Sequence, residues 1–154
     1  MKEDNAVIHR QAFGKGLTLV EIDPGQDIGL DIALTPRDPE GSRRRDLTTN
    51  EGVDTLIQDL TVAMTIGIGT DPLNKTFGNA AFRAMAEISD PLLRRESIRI
   101  AIINVLRADP RVGRIRSVRF RDERVGEQSR TIALNVSAEF ETVLGTRLAI
   151  DIEG

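Results

Sequence analysis

The sequence predicts an α+β domain, with about three helices packed on a mainly antiparallel sheet. Three observations carry that expectation. Ile28, Leu30, Ile32 and Leu34 alternate with Gly29, Asp31, Ala33 and Thr35, the period of a half-buried strand. Val53, Leu56, Ile57, Leu60, Ala63 and Met64 recur at helical spacing. Two strand-like runs, Thr131 to Phe140 and Thr146 to Ile152, close the chain around a turn region, Glu141 to Gly145. The resulting order, β-β-α-α-α-β-β-β, sets helices against a sheet instead of alternating them with strands.

Taken in order, residues 1–16 read as an irregular lead-in with a turn at Phe13-Gly14-Lys15-Gly16. Leu17 to Ile22 reads as a strand, and Pro24-Gly25 turns it into the second strand, Ile28 to Thr35. Together they make a hairpin. Pro36 to Asn50 is a polar loop carrying Arg43-Arg44-Arg45, with Thr48, Thr49 and Asn50 as N-cap candidates for the first helix. That helix is expected to end near Ile66, before Gly67 and Gly69, with Asp71-Pro72 continuing the break. A short second helix spans Asn79 to Ile88, with Phe82, Met85 and Ala86 inward. Asp90-Pro91 restarts the chain with a capping carboxylate and a proline at the first helical position. The third helix runs to about Arg107, offering Leu92, Leu93, Ile98, Ala101, Ile102, Val105 and Leu106 to the core, and Arg94, Arg95 and Arg99 to another face. Asp109-Pro110 stops it. Ile115, Val118 and Phe120 then mark a strand. Residues 1–27 are read as lead-in and first strand, and 28–154 as the main domain.

Composition narrows the function classes. The chain has 154 residues, 40% hydrophobic and 29% charged, enough to bury a core. With five Phe and no Tyr or Trp, aliphatic residues must build that core, and stacking on bases or sugars has little to draw on. There is no cysteine, which excludes disulfides and thiolate metal sites and fits a reducing compartment. Met1 to Arg10 is not read as a signal peptide, and no run approaches the roughly 20 apolar residues of a membrane span, so a soluble protein is expected. The net charge of −3 conceals an asymmetry: residues 94–130 hold 11 Arg against 5 acidic residues.

Catalytic chemistry finds little support. His9, the sole histidine, lies in the lead-in, a poor place for the base of a triad. The glycines at 14, 16, 67 and 69 complete neither a dinucleotide fingerprint nor a P-loop. Glu139 and Glu141 fall on one side of a strand without a sugar cleft around them. No catalytic residue, cofactor or metal site is expected. A small nucleic-acid-binding module using the Arg-rich face 94–130 is the alternative reading. Against it stand the acidic net charge, the shortage of Lys and the missing aromatics, and no nucleic-acid partner is expected.

Two motifs in order give a more specific expectation. Leu73-Asn74-Lys75-Thr76-Phe77-Gly78-Asn79 lies between the first two helices, and Asp109-Pro110-Arg111 joins the third to Ile115-Arg116-Ser117-Val118. Over residues 28–152 this resembles the lysozyme-like baseplate wedge family of contractile phage tails. That family, also called sheath initiators, has relatives in type VI secretion systems and other contractile injection particles. Its Glu-Pro-Arg motif corresponds here to Asp109, Pro110 and Arg111, and its Phe-Gly step to Phe77 and Gly78, expected to be structural. Its Pro-Gly-Glu turn is replaced by Gly67-Ile68-Gly69-Thr70-Asp71-Pro72.

The resemblance implies a non-enzymatic baseplate subunit in six copies, assembled in the cytoplasm and then held in a virion or injection particle. Its implied partners are other wedge proteins, sheath subunits and the tail tube, with no membrane contact. Asp109-Pro110-Arg111 would dock on a helical core bundle, with Arg111 forking onto a carboxylate or helix carbonyls. On this expectation Arg111→Ala spares folding and blocks incorporation. The C-terminal hairpin would resemble the sheath's interlocking domain and accept a sheath arm by β-augmentation. Its contact strands would be those of Thr131, Leu134, Val136, Leu148, Ile150 and Ile152, so that deleting Thr146 to Gly154 blocks sheath initiation.

Overall fold

The structure is a computed structural model that describes residues 2–22, 30–35, 45–124 and 132–152. Its class is α+β, with four helices and antiparallel sheets of two, two and three strands among the described residues. The chain divides into two compact units, Met1–Gln58 and Asp59–Gly154.

The first unit corrects several expectations. Helix α1, Lys2–Phe13, stands where an irregular lead-in was expected. Phe13 is buried at its end, and Gly14, at φ +86°, turns the chain out while donating its N–H to the Arg10 carbonyl. Strands β1, Lys15–Leu17, and β2, Leu19–Glu21, replace the single strand expected over Leu17 to Ile22. The break is at Thr18, whose N–H donates to the Thr48 carbonyl and whose carbonyl accepts from Ala33 N–H. β2 pairs antiparallel with β3, Leu30–Ile32, as expected of the two strands, in the register Leu19↔Ile32. Leu30, Ile32 and Leu34 are exposed, not half-buried. The Pro24-Gly25 turn, Ile28 and the loop residues 36–44, with Arg43 and Arg44, lie outside the described residues.

Thr48 to Asn50 were expected to cap the first helix. Thr49 and Asn50 instead belong to β4, Thr49–Glu51, which pairs with β1. Gly52, at φ +68°, then makes the turn into helix α2, Val53–Thr65. Gln58 closes the gap at Thr18: its Nε2 donates to the Leu17 carbonyl at 2.7 Å, and its Oε1 accepts from Leu19 N–H at 2.8 Å.

The second unit follows the expected plan more closely. Helix α3, Ala81–Glu87, is shorter than expected and buries only Ala81, while Phe82, Met85 and Ala86 are exposed. Helix α4, Pro91–Ala108, starts as predicted, with Asp90 Oδ1 accepting from Leu93 N–H at 2.8 Å and Pro91 inside the first turn. It buries Ile98, Ala101, Ile102 and Leu106; Leu92 and Leu93 point to solvent instead of the core. Strands β5, Val112–Arg124, β6, Ile132–Thr142, and β7, Arg147–Ile152, form a sheet in that order. α4 packs on β5. β7 pairs only with residues 136–141 of β6, whereas β5 follows β6 back to Ile132, so the β5–β6 ribbon outreaches β7. Strand alternation turns Val136, Ala138, Phe140 and Ile150 into the core. Among the described residues no helix is long and apolar enough to cross a membrane.

Candidate functional site

The junction between α4 and β5 is built by local bonds. Pro110 cannot continue the helix, and Asp109 before it takes an extended conformation, φ −87° and ψ 117°. The turn closes with Val112 N–H donating to the Asp109 carbonyl at 3.1 Å. Asp109 Oδ1 also accepts from Arg111 N–H at 2.9 Å, so the carboxylate caps the same turn that presents it.

Arg111 is held inside the unit. Its Nε and Nη2 donate to the two Asp109 oxygens at 2.9 and 2.6 Å, a forked pair. Its Nη1 donates to Asp59 Oδ2 at 2.9 Å, which ties the junction to α2 across 52 residues of sequence. The Asp109 and Arg111 side chains are only 14% and 22% exposed, against 45% for Asp59. Burial alone would raise the Asp109 carboxyl's pKa. The Arg111 side-chain and backbone hydrogen bonds outweigh it and hold that pKa below the ordinary value. The Arg111 pKa is raised, chiefly by its bond to Asp109. A part-buried, charge-assisted trio is therefore a fixed part of the fold, with the exposed Pro110 at its surface.

A second loop is fastened to this junction. Val143 N–H donates to the Arg111 carbonyl at 3.0 Å, so the β6–β7 turn sits directly on it. That turn has Gly145 N–H donating to the Thr142 carbonyl and Gly145 at φ +78°, the three-residue hairpin loop in which a turn is followed by a left-handed glycine. At Gly113 an added Cβ would lie 3.0 Å from the Thr142 carbonyl oxygen, so a side chain there would crowd the backbone of the paired strand.

The other sequence-flagged residues fall elsewhere. Gly78 stands at φ +109°, and a Cβ there would lie 2.7 Å from the Ile66 carbonyl oxygen, so the Phe77-Gly78 step admits no larger residue at its second position. Asn79, buried beside it, donates its side-chain amide to the Met64 carbonyl and accepts from Ala81 N–H. Of the strand residues, Val136 and Ile150 are buried, and Leu134, Leu148 and Ile152 share their inward face. Thr131 lies outside the described residues. Among the described residues no strand pairs with the outer edge of β7.

The opposite face of the sheet accounts for much of the arginine surplus. Register places Arg114, Arg119 and Arg121 of β5, Glu139 and Glu141 of β6, and Arg147 and Asp151 of β7 on it. Arg116, at a bulge, joins them by bonding Glu141. Glu141 accepts from both Arg116 and Arg147, which lowers its pKa, and Glu139 sits 3.7 Å from Arg119. Both carboxylates of this strand are thus paired with arginines. On the inner side Arg99 lies over the Phe120 ring, 5.1 Å from its centre, and bonds Glu96. Among the described residues no group of three or more His, Asp or Glu is placed to hold a metal.

No family model matches the chain, and no curated protein matches it. The site is therefore characterised by its geometry: a rigid helix–turn–strand corner, a hairpin turn bonded to it, and an adjoining strand edge. Sequence reasoning singled out the corner but missed Asp59 and the Val143 bond. Both join residues far apart in the chain.

Proposed function

We propose that this chain is a structural subunit of the baseplate of a contractile tail or injection particle. It docks on a bundle of other wedge proteins through the Asp109-Pro110-Arg111 corner and nucleates the sheath through β6 and β7. The observation that carries the reading is the corner itself. α4 ends at Ala108, the motif forms the whole turn, and β5 begins at Val112. A part-buried ion pair holds that turn in one geometry, as a docking point requires.

In this reading Arg111 positions the turn more than it reaches a partner. Its fork is filled by Asp109 and its Nη1 is bonded to the half-exposed Asp59, so a partner carboxylate that took the place of Asp59 would make an exchange worth about 0–1 kcal/mol. Pro110 and the backbone around it are what the corner offers outward. The β7 edge accepts an extended sheath arm through main-chain hydrogen bonds, with the inward strand residues keeping the sheet in register. The protein performs no catalysis, is assembled in the cytoplasm, and is retained in the finished particle.

The test uses tagged Pro110→Asp in place of the native chain, followed by particle purification. The position is exposed and loses only the backbone restriction of proline, so the urea-unfolding midpoint should correspond to a loss of no more than about 1 kcal/mol. The variant should be missing from particles that contain the tagged wild-type chain. Wild-type amounts of the variant in those particles would overturn the proposed docking point.

A further inference from the structure

The outer face of the three-stranded sheet carries more positive charge than its own carboxylates take up. Glu141, nearest the β6–β7 turn, is shared by Arg116 and Arg147. Farther along β5 the pairing thins out. Arg119, its side chain 72% exposed, stands 3.7 Å from Glu139, too far for a hydrogen bond. The exposed Arg121 makes no ion pair or side-chain hydrogen bond among the described residues. Opposite these two arginines in register are Ser137 and Asn135, which are short and uncharged. Long side chains beside short ones leave an open groove of about 460 Å³, with Arg119 and Arg121 on one side and Asp151 of β7 on the other.

We propose that this groove binds an extended acidic segment of a partner protein, whose carboxylates are gripped by Arg119 and Arg121. The charges of the face itself identify the occupant, and the inference does not rest on the assembly reading. Carboxylates on alternate residues of an extended chain recur about 7 Å apart, which is also the spacing of Arg119 and Arg121 along β5. Each guanidinium fork can take a carboxylate in two parallel hydrogen bonds. Asp151, across the groove, repels acidic side chains and so confines them to the arginine column. A nucleic-acid strand fits less well. Its phosphates form an unbroken line of charge, and on this face that line would run over Glu139 and Asp151. The chain also has no Tyr or Trp on which a base could stack.

The probe is a fluorescein-labelled dodecapeptide of alternating Ser and Glu, and its binding to the full chain is read by fluorescence anisotropy at low salt. The wild type should bind it at least about tenfold more tightly than the Ser-Gln counterpart. Arg119→Gln together with Arg121→Gln should lose at least about tenfold in affinity, with an unchanged urea midpoint because both positions are exposed. Arg10→Gln with Arg83→Gln, the same change of net charge at exposed positions elsewhere, should bind like the wild type. The pair Arg119→Lys and Arg121→Lys keeps the charge without the fork and should lose part of the affinity; full affinity there would overturn the forked grip. Equal binding of the Glu and Gln peptides, an unaffected groove variant, or an equal loss in the control pair would overturn the site. Tighter binding of an oligothymidylate of the same length would make the partner a nucleic acid and sink the proposal. So would dimers of the purified chain, seen by light scattering, that vanish in the groove variant, because the occupant would then be a second copy. No assembled particle enters the measurement, so its failure leaves the baseplate reading standing.

Discussion

Asp109 and Arg111 show how a short motif can be a structural joint. Removing Arg111 leaves a part-buried carboxylate without its main partner, which costs about 1–3 kcal/mol. Arg111→Ala should therefore lower the urea midpoint noticeably, and the sequence-level expectation that it spares folding is revised accordingly. Asp59→Asn, at the half-exposed end of the trio, should cost no more than about 1 kcal/mol. The pH dependence follows from the lowered Asp109 pKa. A carboxyl that titrates lower in the folded state than in the unfolded chain stabilises the fold above its unfolded pKa, about 3.9. That contribution disappears as pH falls through the folded value. Urea unfolding across acid pH should show this loss in the wild type and a flatter profile in Asp109→Asn. Gly78→Ala is the second residue-scale case: left-handed backbone and a 2.7 Å approach to the Ile66 carbonyl oxygen predict a loss of at least about 1–3 kcal/mol by the same measurement.

At the scale of elements, what could be read in advance depended on whether the signal was local. α4 was legible because Asp90 and Pro91 cap it from within three residues, and β5 to β7 because alternation persists over many positions. α1 was missed because its mixed charges carry no apolar stripe; the remaining signals were an uninterrupted run without Gly or Pro and Arg10 in the last turn. The N-cap expected at Thr48 to Asn50 failed because pairing with β1, some 35 residues away, claimed that stretch as a strand. The inward face of α3 failed because two turns are too few to fix a helical phase. Phe140, fully buried in β6, tests the sheet as an element: Phe140→Ala should cost about 3–5 kcal/mol in chemical unfolding. Deleting Thr146 to Gly154 is a blunter probe than the sequence implied, because it also removes the buried Ile150.

For the whole molecule, the net charge of −3 misdescribes what a partner meets. Over residues 112–121 and 134–152, the outer face of the three-stranded sheet sets five arginines, at 114, 116, 119, 121 and 147, against Glu139, Glu141 and Asp151. Among the described residues Arg114 and Arg121 make no ion pair or side-chain hydrogen bond. The chain should accordingly be retained on a cation exchanger at neutral pH despite its acidic sum, and Arg114→Gln with Arg121→Gln should release it at lower salt. Elution with the void volume would show that the surplus is neutralised elsewhere.

The unequal length of the three strands has a mechanical consequence. β5 and β6 continue about 13 Å past the end of β7, over residues 132–135 of β6. The root of the sheet, beside the Pro110 corner, is three strands thick, while its far end is a two-stranded ribbon, which takes up a larger twist. Tension along β7 is shared in shear by the six rungs at that root. Torque on the far end is absorbed by the ribbon. A force entering through the last strand is thus delivered to the corner, and a twist at the tip is kept away from it.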